Sequence, residues 1–269
     1  MSSCSPRKIL LLFAMWDEAK SVIEIMGLKR VNSFFLDFEV FGGHSKKMNH
    51  WFEYTLLVPG KDSTFGVDRV CTQFAALGAA AGIGNYHPDL VINVGTAGGF
   101  SIGSNVIGKT FLCTNFVYHD RRIPLPQFAQ YGVGGFETKV FFDVPFEHAT
   151  VTTGNSLDVT KQELFIMKEL AKLGPLLKDM EGAAIAEVCN ASTPKIPFLA
   201  LKAVTDIVDG LTPTGTDFLR NLQLASENLQ CGLLNFLSFL DGVAISDIYC
   251  GRNQALIEQI IELRLSNKN

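Results

Sequence analysis

Three short, predominantly apolar runs constrain the fold of this chain more than any other feature. They lie at 9–13, 90–94 and 198–201. A strand with one solvated face alternates apolar and polar residues, so runs of this length with at most one polar residue suit central strands that are covered on both faces. Helical patterns separate the runs, and no linker or internal repeat interrupts them. We therefore predict a single α/β domain.

Apolar periodicity and turn residues predict the remaining elements. The predicted helices are 17–27, 65–84, 161–173, 181–190, 216–240 and 253–265. The predicted strands are 8–15, 34–40 running into a turn at Gly42-Gly43, 51–58, 90–94, 198–204, a β-rich stretch at 105–118 and one strand within 138–153.

Composition excludes several classes of function. With 47% apolar and 19% charged residues, the 269-residue chain is globular. Its net charge of −4 argues against nucleic acid as a partner, because phosphate contacts need a basic surface. The five histidines form no HExxH motif and the six cysteines no CxxC spacing, so we expect no metal. No motif supports a flavin or nicotinamide, and we expect no cofactor.

The N-terminus resembles a signal peptide only superficially. The apolar run 9–15 is far shorter than the ~20 residues that span a bilayer, and Trp16-Asp17-Glu18 stands where small residues should mark a cleavage site. A buried strand is the better interpretation, and we expect no membrane partner. Cysteines without a disulfide framework indicate reduced thiols in a cytoplasmic protein.

Three acidic residues occupy comparable positions in the pattern. Glu18 follows the first strand, Glu181 begins a helix of small residues, and Asp206 follows the strand 198–204. Ligands in open α/β sheets bind at the carboxyl ends of strands, where carboxylates far apart in sequence can converge. Each residue also has a purely structural interpretation: Glu18 and Glu181 as first-turn acids, and Asp206 as an N-cap or turn residue.

Three loop signals accompany these acids. The glycine-rich stretch 93–100 would let backbone approach a ligand, although it lacks GxGxxG and could be only a tight turn. Residues 153–158 are turn-like in composition. Residues 118–126 combine two prolines with Asp120 and two arginines, which indicates an ordered surface loop or a solvated ion pair.

Taken in order, these pieces resemble the 5′-methylthioadenosine/S-adenosylhomocysteine nucleosidases of the purine nucleoside phosphorylase superfamily. The resemblance spans about residues 8 to 240. The motif sequences at 119–124 and 206–210 are most similar to those of the plant-type branch. The matching segments are 14–19, 59–62, 88–99, 119–124, 153–156, 178–184 and 202–210.

The resemblance implies a three-layer α/β domain, with a twisted mixed central sheet flanked by helices, and a homodimer. It implies a nucleosidase domain at 1–245 followed by a helical C-terminal extension at 246–269. The implied activity is hydrolysis of the N-glycosidic bond of 5′-methylthioadenosine, with release of adenine in methionine salvage. S-adenosylhomocysteine is left open as a second substrate.

The resemblance also implies a role for each matched residue. Glu18 would activate water, Asp206 would help protonate adenine N7, and Glu181 would bind the ribose hydroxyls beside Met180. Lys202 would orient the acids. The remaining implied contacts are Thr96, Ala97 and Gly98 at the ribose and water site, Leu157 and Asp158 at the adenine ring, and His119, Pro124 and Leu125 in the loop over the 5′-alkylthio end.

Two alternative functions stay open at this point. A purine nucleoside or methylthioadenosine phosphorylase would need arginines to bind phosphate. At the two positions where phosphorylases carry them, this sequence has residues 14–18 and Asn93 without an arginine. A non-catalytic storage relative of the same fold should lack the three acids. The sequence departs from the family at Asn155, where aspartate is usual, and aligns poorly at 135–152 and 159–177.

Overall fold

The computed structural model describes residues 8–31, 37–47, 50–102, 106–241, 243–244 and 247–266. The strands in these ranges are β1 (Lys8–Leu12), β2 (Lys29–Val31), β3 (Glu39–Lys47), β4 (His50–Val58), β5 (Leu90–Gly99), β6 (Thr110–Tyr118), β7 (Phe136–Val140), β8 (His148–Thr153), β9 (Leu176–Asp179), β10 (Phe198–Ile207) and β11 (Ile248–Arg252). The helices are α1 (Trp16–Ile25), α2 (Cys71–Tyr86), α3 (Ala129–Val133), α4 (Lys161–Ala171), α5 (Gly182–Ala191), α6 (Thr214–Phe239) and α7 (Gln254–Ser266).

These strands form one mixed sheet. Its order is β11-β7-β6-β8-β9-β5-β1-β4-β3-β2, and β10 pairs with both β5 and β6. β1 lies parallel to β4 and β5, and β10 lies parallel to β5 but antiparallel to β6. The carboxyl ends of β1, β5 and β10 therefore meet at the same edge of the sheet, as expected for an α/β domain.

Alternation along β1 shows how the core divides into layers. Ile9 and Leu11 pack in one buried cluster with residues of α1 and α6. Leu10 and Leu12 point to the opposite face and pack with residues of α2 and α5. The unbroken apolar run thus reflects a strand covered by helices on both faces. The prediction of a single α/β domain with helices on both sides of a mixed sheet is confirmed.

Small residues let α2 approach the sheet closely. A Cβ on Gly82 would lie 2.5 Å from Leu10 Cδ2, and one on Gly78 would lie 3.2 Å from Leu57 Cδ2. The first turn of α2 is thereby held near the carboxyl ends of the central strands. None of the described helices is both long enough and apolar enough to cross a membrane.

Several predicted boundaries were wrong. Gly42 and Gly43 lie inside β3 instead of in a turn. Packing accounts for the glycine at position 43, because a Cβ there would lie 2.7 Å from Leu28 Cδ2. The helix predicted to begin at 65 begins at Cys71. Before it, Asp62 Oδ1 accepts hydrogen bonds from the amides of Thr64 and Phe65 and holds a turn instead.

The glycine-rich stretch was also misjudged as a turn, since β5 continues through it to Gly99. Asp206 lies within β10 and not after it. The region 138–153 contains the end of β7 and all of β8, where one strand was predicted. The first part of the predicted strand 34–40 lies outside the described residues, as does residue 105 of the β-rich stretch.

The segment after residue 247 is a strand followed by a helix. β11 pairs antiparallel with β7 and extends the sheet, which the sequence did not predict. The predicted final helix is present as α7. The domain boundary predicted at residue 245 stays a prediction. β11, which follows it, joins the same sheet as β7, which precedes it.

Candidate active site

Glu18 is placed at the carboxyl edge of the sheet by the tight connection between β1 and α1. It lies in the first turn of α1 and is 2% exposed. Its Oε1 accepts hydrogen bonds of 2.7 Å from both the amide and the hydroxyl of Thr96. A Cβ on Gly95 would lie 3.3 Å from both carboxylate oxygens, so glycine makes room for the acid. Glu18 is therefore held against β5 by more than a helix-start role requires.

A bulge in β10 places Asp206. The pairing of β10 with β5 shifts between Val204 and Asp206, which brings Asp206 opposite Gly98. Bulges of this kind re-aim side chains next to functional sites. A Cβ on Gly98 would lie 2.7 Å from Asp206 Oδ2, so only glycine lets the two strands and this carboxylate coexist.

The two oxygens of Asp206 differ in their environment. Oδ1 accepts a 2.8 Å hydrogen bond from the Thr205 hydroxyl. Oδ2 is buried and accepts no hydrogen bond from any residue that the structure describes. Burial raises the pKa of Asp206, although the Thr205 hydroxyl and Lys178 oppose the rise. An orphaned buried carboxyl oxygen of raised pKa is suited to hold a proton and donate it to a ligand.

Glu181 and Lys202 form the third part of the site. Glu181 is the N-cap of α5, and its Oε1 accepts a 3.2 Å hydrogen bond from the Cys71 amide. Lys202, in the middle of β10, lies with Nζ 3.0 Å from Asp179 Oδ2 and 3.9 Å from Glu181 Oε2. Its side chain is 1% exposed, so these carboxylates supply the compensation that a buried ammonium needs.

Burial sets the protonation of this acidic cluster. It raises the pKa of Glu181 to about 7, against the attraction of Lys202 and with the help of the negative charges of Asp179 and Glu18. It also raises the pKa of Glu18, where Lys202 and the Thr96 hydrogen bonds act in the opposite direction. Glu181 can therefore hold or release a proton near neutral pH, and burial also favours the protonated form of Glu18.

The 154–158 loop is attached to the same edge by Lys178. Gly98 pairs with Lys178 across β5 and β9, and Lys178 Nζ donates to the carbonyl oxygens of Ser156, at 2.5 Å, and Leu157, at 3.0 Å. Leu157 and Asp158 are exposed on this loop, and Met180 is partly buried between β9 and Glu181. Asn155 Oδ1 accepts a hydrogen bond of 2.8 Å from the Thr72 hydroxyl, which ties the loop to the start of α2.

The 119–126 loop lies beside this cluster. His119 is buried, and its Nδ1 is 3.1 Å from the Thr152 hydroxyl oxygen. Burial, with the positive charge of Lys178, lowers the pKa of His119 to about 4, so the imidazole is neutral. Pro124 and Leu125 are exposed instead. They line a separate groove of about 670 Å³ between the loop, α4 and α7, which we call the outer groove and which His119 also borders.

The structure thus brings together most of the residues that the sequence singled out. The carboxylates of Glu18, Glu181 and Asp206 share one edge with Thr96, Ala97, Gly98 and Lys202, whereas Pro124 and Leu125 lie in the outer groove. Sequence reasoning assigned no role to Asp179, Lys178 or the Cys71 amide. The first two lie in the matched segment 178–184, but the amide of Cys71 reaches Glu181 from 110 positions away and leaves no signal. No group of metal-ligating residues occurs in the described part of the chain.

Comparison with known proteins gives consistent matches. A family profile described as "Phosphorylase superfamily" matches residues 53–238. A 5′-methylthioadenosine nucleosidase of Arabidopsis thaliana is 41% identical over 198 residues, covering 72% of each chain. A 5′-methylthioadenosine/S-adenosylhomocysteine nucleosidase of the same plant is 36% identical over 248 residues, covering 89% of this chain and 94% of the relative. The solved apo structure of the Arabidopsis 5′-methylthioadenosine nucleosidase superposes with a TM-score of 0.81 at 34% identity, covering 91% of this chain and all of that one.

Proposed function

This chain belongs to the phosphorylase superfamily, and from that premise we propose that it is an N-ribosyl hydrolase that releases adenine from 5′-methylthioadenosine. The observation that carries the proposal is the convergence of Glu18, Glu181 and Asp206 on one sheet edge, with an orphaned oxygen on Asp206. The two curated plant relatives are named as nucleosidases of this substrate, one of them also of S-adenosylhomocysteine.

Asp206 is the proposed acid. Adenine leaves poorly as an anion, so a proton on N7 makes the glycosidic bond easier to break. Asp206 holds a buried oxygen without a described hydrogen-bond donor, and its pKa is raised by burial. Both properties favour a carboxyl group that is protonated when the nucleoside binds and shares its proton with N7.

Glu18 is the proposed base. As the bond to adenine breaks, the ribosyl ring gains positive charge, which the nearby carboxylates of Glu18 and Glu181 stabilise. A water molecule beside Glu18 would then give up a proton to this carboxylate and attack C1′. The two Thr96 hydrogen bonds fix Oε1, so that the carboxylate keeps one orientation during the reaction. Glu181 would accept hydrogen bonds from the ribose hydroxyls.

Phosphorolysis is the less favoured alternative. A phosphate site needs cationic side chains that are free to bind an anion. Lys202 is engaged by Asp179, and Lys178 is engaged by two backbone carbonyls. Asn93, at one of the places where phosphorylases carry arginine, is buried and donates to the Leu12 carbonyl at 3.0 Å. Water is therefore the proposed nucleophile.

Adenine release from 5′-methylthioadenosine and S-adenosylhomocysteine, with and without phosphate, tests this proposal. We expect release that is independent of phosphate, with a free ribose that keeps its 5-alkylthio group as the second product. Phosphate-dependent release of a sugar 1-phosphate would instead identify a phosphorylase. Absence of any release would support the non-catalytic storage relative, although the retention of all three acids argues against it.

We extend the proposal to the cellular setting and the assembly. Adenine release from methylthioadenosine belongs to methionine salvage, and the thiols of the described cysteines are free, as expected in the cytoplasm. A homodimer is proposed because the 119–131 segment exposes Leu125, Phe128 and Tyr131 beside the outer groove. Fractionation of the native protein would test its compartment.

A further inference from the structure

The C-terminal segment 248–266 is built into the core beside the 119–126 loop. β11 pairs with β7, and α7 packs against α3 and α4. Ile257 and Ile260 of α7 are buried in one cluster with Val117 of β6 and Met167 of α4. This segment lies beyond the usual end of the family as judged from the sequence, yet it contacts the elements on either side of the loop.

One side chain of α7 binds the start of the loop directly. Arg264 Nη2 donates to the carbonyl oxygen of Tyr118 at 2.6 Å, and Nη1 donates to that of Arg121 at 3.3 Å. Tyr118 is the last residue of β6, so the two carbonyls flank His119 and Asp120. A planar guanidinium with donors in a fixed fork can hold both carbonyls in one relative orientation.

This arrangement costs free energy that an apolar residue would avoid. Burial, together with the positive charges of Arg122 and Arg121, lowers the pKa of Arg264 to about 10, although the charge of Asp120 opposes this shift. Arg121 and Arg122 each have a carboxylate partner, Glu187 at 2.8 Å and Glu163 at 2.7 Å. The bonds from Arg264 go to neutral carbonyls instead. Its guanidinium therefore orients the backbone of the loop through hydrogen bonds and does not form an ion pair with it.

The loop start that Arg264 holds is the part that reaches the proposed active site. The amide of His119 donates to the Thr153 carbonyl at 3.1 Å, and the imidazole packs against Gly154. Gly154 opens the segment that carries Leu157 and Asp158. On its other side, Arg264 lines the outer groove together with Pro124 and Leu125. A shift at Tyr118–Arg121 would therefore move both His119 and the wall formed by Pro124 and Leu125.

We propose that Arg264 is a positioning residue through which the C-terminal helix fixes the 119–126 loop and thereby sets the selectivity of the enzyme for the 5′ substituent of its substrate. The inference rests on the proposed function and on the position over the 5′ end that the family resemblance implies for this loop. It assigns the C-terminal segment a part in substrate selection and not only in folding.

The test compares Arg264→Met with Arg252→Met. Arg252 belongs to the same segment and also donates to a backbone carbonyl, that of Gly134, whereas none of its described hydrogen bonds goes to the 119–126 loop. Methionine keeps the apolar length of either side chain and removes the donors. We expect Arg264→Met to lower kcat/KM for 5′-methylthioadenosine by about tenfold, mainly through KM, and to change that for adenosine by less than about threefold. Arg252→Met should leave the ratio of the two substrates unchanged.

Hydrogen exchange supplies a readout that does not depend on activity. The amides of 119–126 should exchange faster in Arg264→Met than in the wild type or in Arg252→Met, and Arg264→Lys should restore part of the protection. Equal losses for both nucleosides, or unchanged exchange in this loop, would overturn the inference. If the wild type released no adenine, the proposed function would fail, whereas the exchange comparison would still decide whether Arg264 holds the loop. If Arg264→Met did not fold, Arg264→Lys would carry both measurements.

Discussion

Asp206 shows at the scale of one residue how the fold prepares a proton donor. Replacing it with asparagine keeps its size and its bond to Thr205 but removes the transferable proton. We expect kcat to fall by ~10²–10⁴, about 3–5 kcal/mol of barrier, because adenine would have to leave as an anion. Steady-state kinetics on 5′-methylthioadenosine measure the loss.

Asp209→Asn is the matched control for this change. Asp209 lies three positions later in a turn, and its two oxygens accept 2.7 Å hydrogen bonds from the amide and hydroxyl of Ser101. Its loss should lower the free energy of unfolding slightly and leave most turnover. The reverse order of the two variants, with intact circular dichroism, would require another residue as the acid.

Glu18→Gln tests the proposed base. The amide oxygen can still accept the two Thr96 hydrogen bonds, so we expect the fold and substrate binding to survive. The amide cannot take a proton from water, and the loss should appear in kcat more than in KM. Thr96→Val should be milder, since it removes only the hydroxyl donor. Near-normal kcat in Glu18→Gln would reduce Glu18 to a first-turn acid of α1.

Glu181 makes stability depend on pH in a defined direction. Its pKa is about 7 in the folded protein, against 4.5 for an unperturbed carboxyl. Between these values the unfolded chain releases the proton first, so this carboxyl makes the folded state less stable as pH rises from about 4.5 to about 7. The full effect is on the order of 3 kcal/mol and is present above that window.

Glu181→Gln removes this titration. The difference in the free energy of unfolding, Glu181→Gln minus wild type, should therefore increase from pH 5 to pH 8. Urea unfolding at both pH values measures this difference. Glu227→Gln, on an exposed part of α6, is the matched control for the same substitution at the surface. A Glu181→Gln difference that stays constant or falls with pH would contradict the raised pKa.

At the scale of elements, the sequence predicted the central strands and the main helices because their apolar patterns are local. It did not predict where β5 and β10 end. Glycine normally indicates a turn, yet Gly95 and Gly98 belong to a strand that needs space for Glu18 and Asp206. Such space is a property of neighbouring strands and cannot be recognised from one segment. β11 was missed for a related reason, since its partner β7 lies more than 100 residues earlier.

The candidate site follows the same distinction. Glu18, Glu181 and Asp206 could be selected from their positions after strands and before a helix, and the family resemblance added their roles. The support of Lys202 by Asp179 and of Glu181 by the Cys71 amide depends on contacts between distant elements. Those contacts became visible only in the folded arrangement.

Gly98→Ala tests whether the close packing of β5 and β10 is needed. The added Cβ would lie 2.6 Å from Val208 Cγ2 and 2.7 Å from Asp206 Oδ2, so the strand or the acid must move. We expect a loss of 1–3 kcal/mol in stability, roughly the cost of overpacking a core, and a larger loss of kcat. Unchanged kinetics would show that Asp206 tolerates displacement.

Gly84→Ala serves as the control for a glycine without such a constraint. Gly84 is an exposed residue of α2, and a Cβ there would meet nothing within 4 Å. Alanine favours the helix by about 1 kcal/mol relative to glycine, so this variant should be equally or more stable. Thermal unfolding of both variants separates the effect of packing from that of backbone freedom.

At the scale of the whole molecule, the resemblance read from the sequence is confirmed. The 0.81 TM-score and the plant nucleosidases at 36% and 41% identity agree with the motifs that suggested the family. The layered sheet explains why motifs spread over nearly 200 residues act together. Most of them lie near the end of a strand or the start of a helix at the same edge, whereas part of the 119–124 motif lines the outer groove.

The proposed homodimer is a property of the whole molecule that one surface residue can test. Leu125 is 49% exposed at the outer groove, where an apolar side chain would gain most from a second copy of the chain. The wild type should sediment as two chains of 29.5 kDa each. Leu125→Glu should shift the equilibrium toward monomer, because a carboxylate is costly to bury at the centre of an interface.

Leu173→Glu, a change at a 61% exposed leucine after α4, should leave the mass unchanged. An active wild-type monomer at assay concentration would contradict the proposed assembly, and equal dissociation by both variants would place the interface elsewhere than at the 119–126 loop.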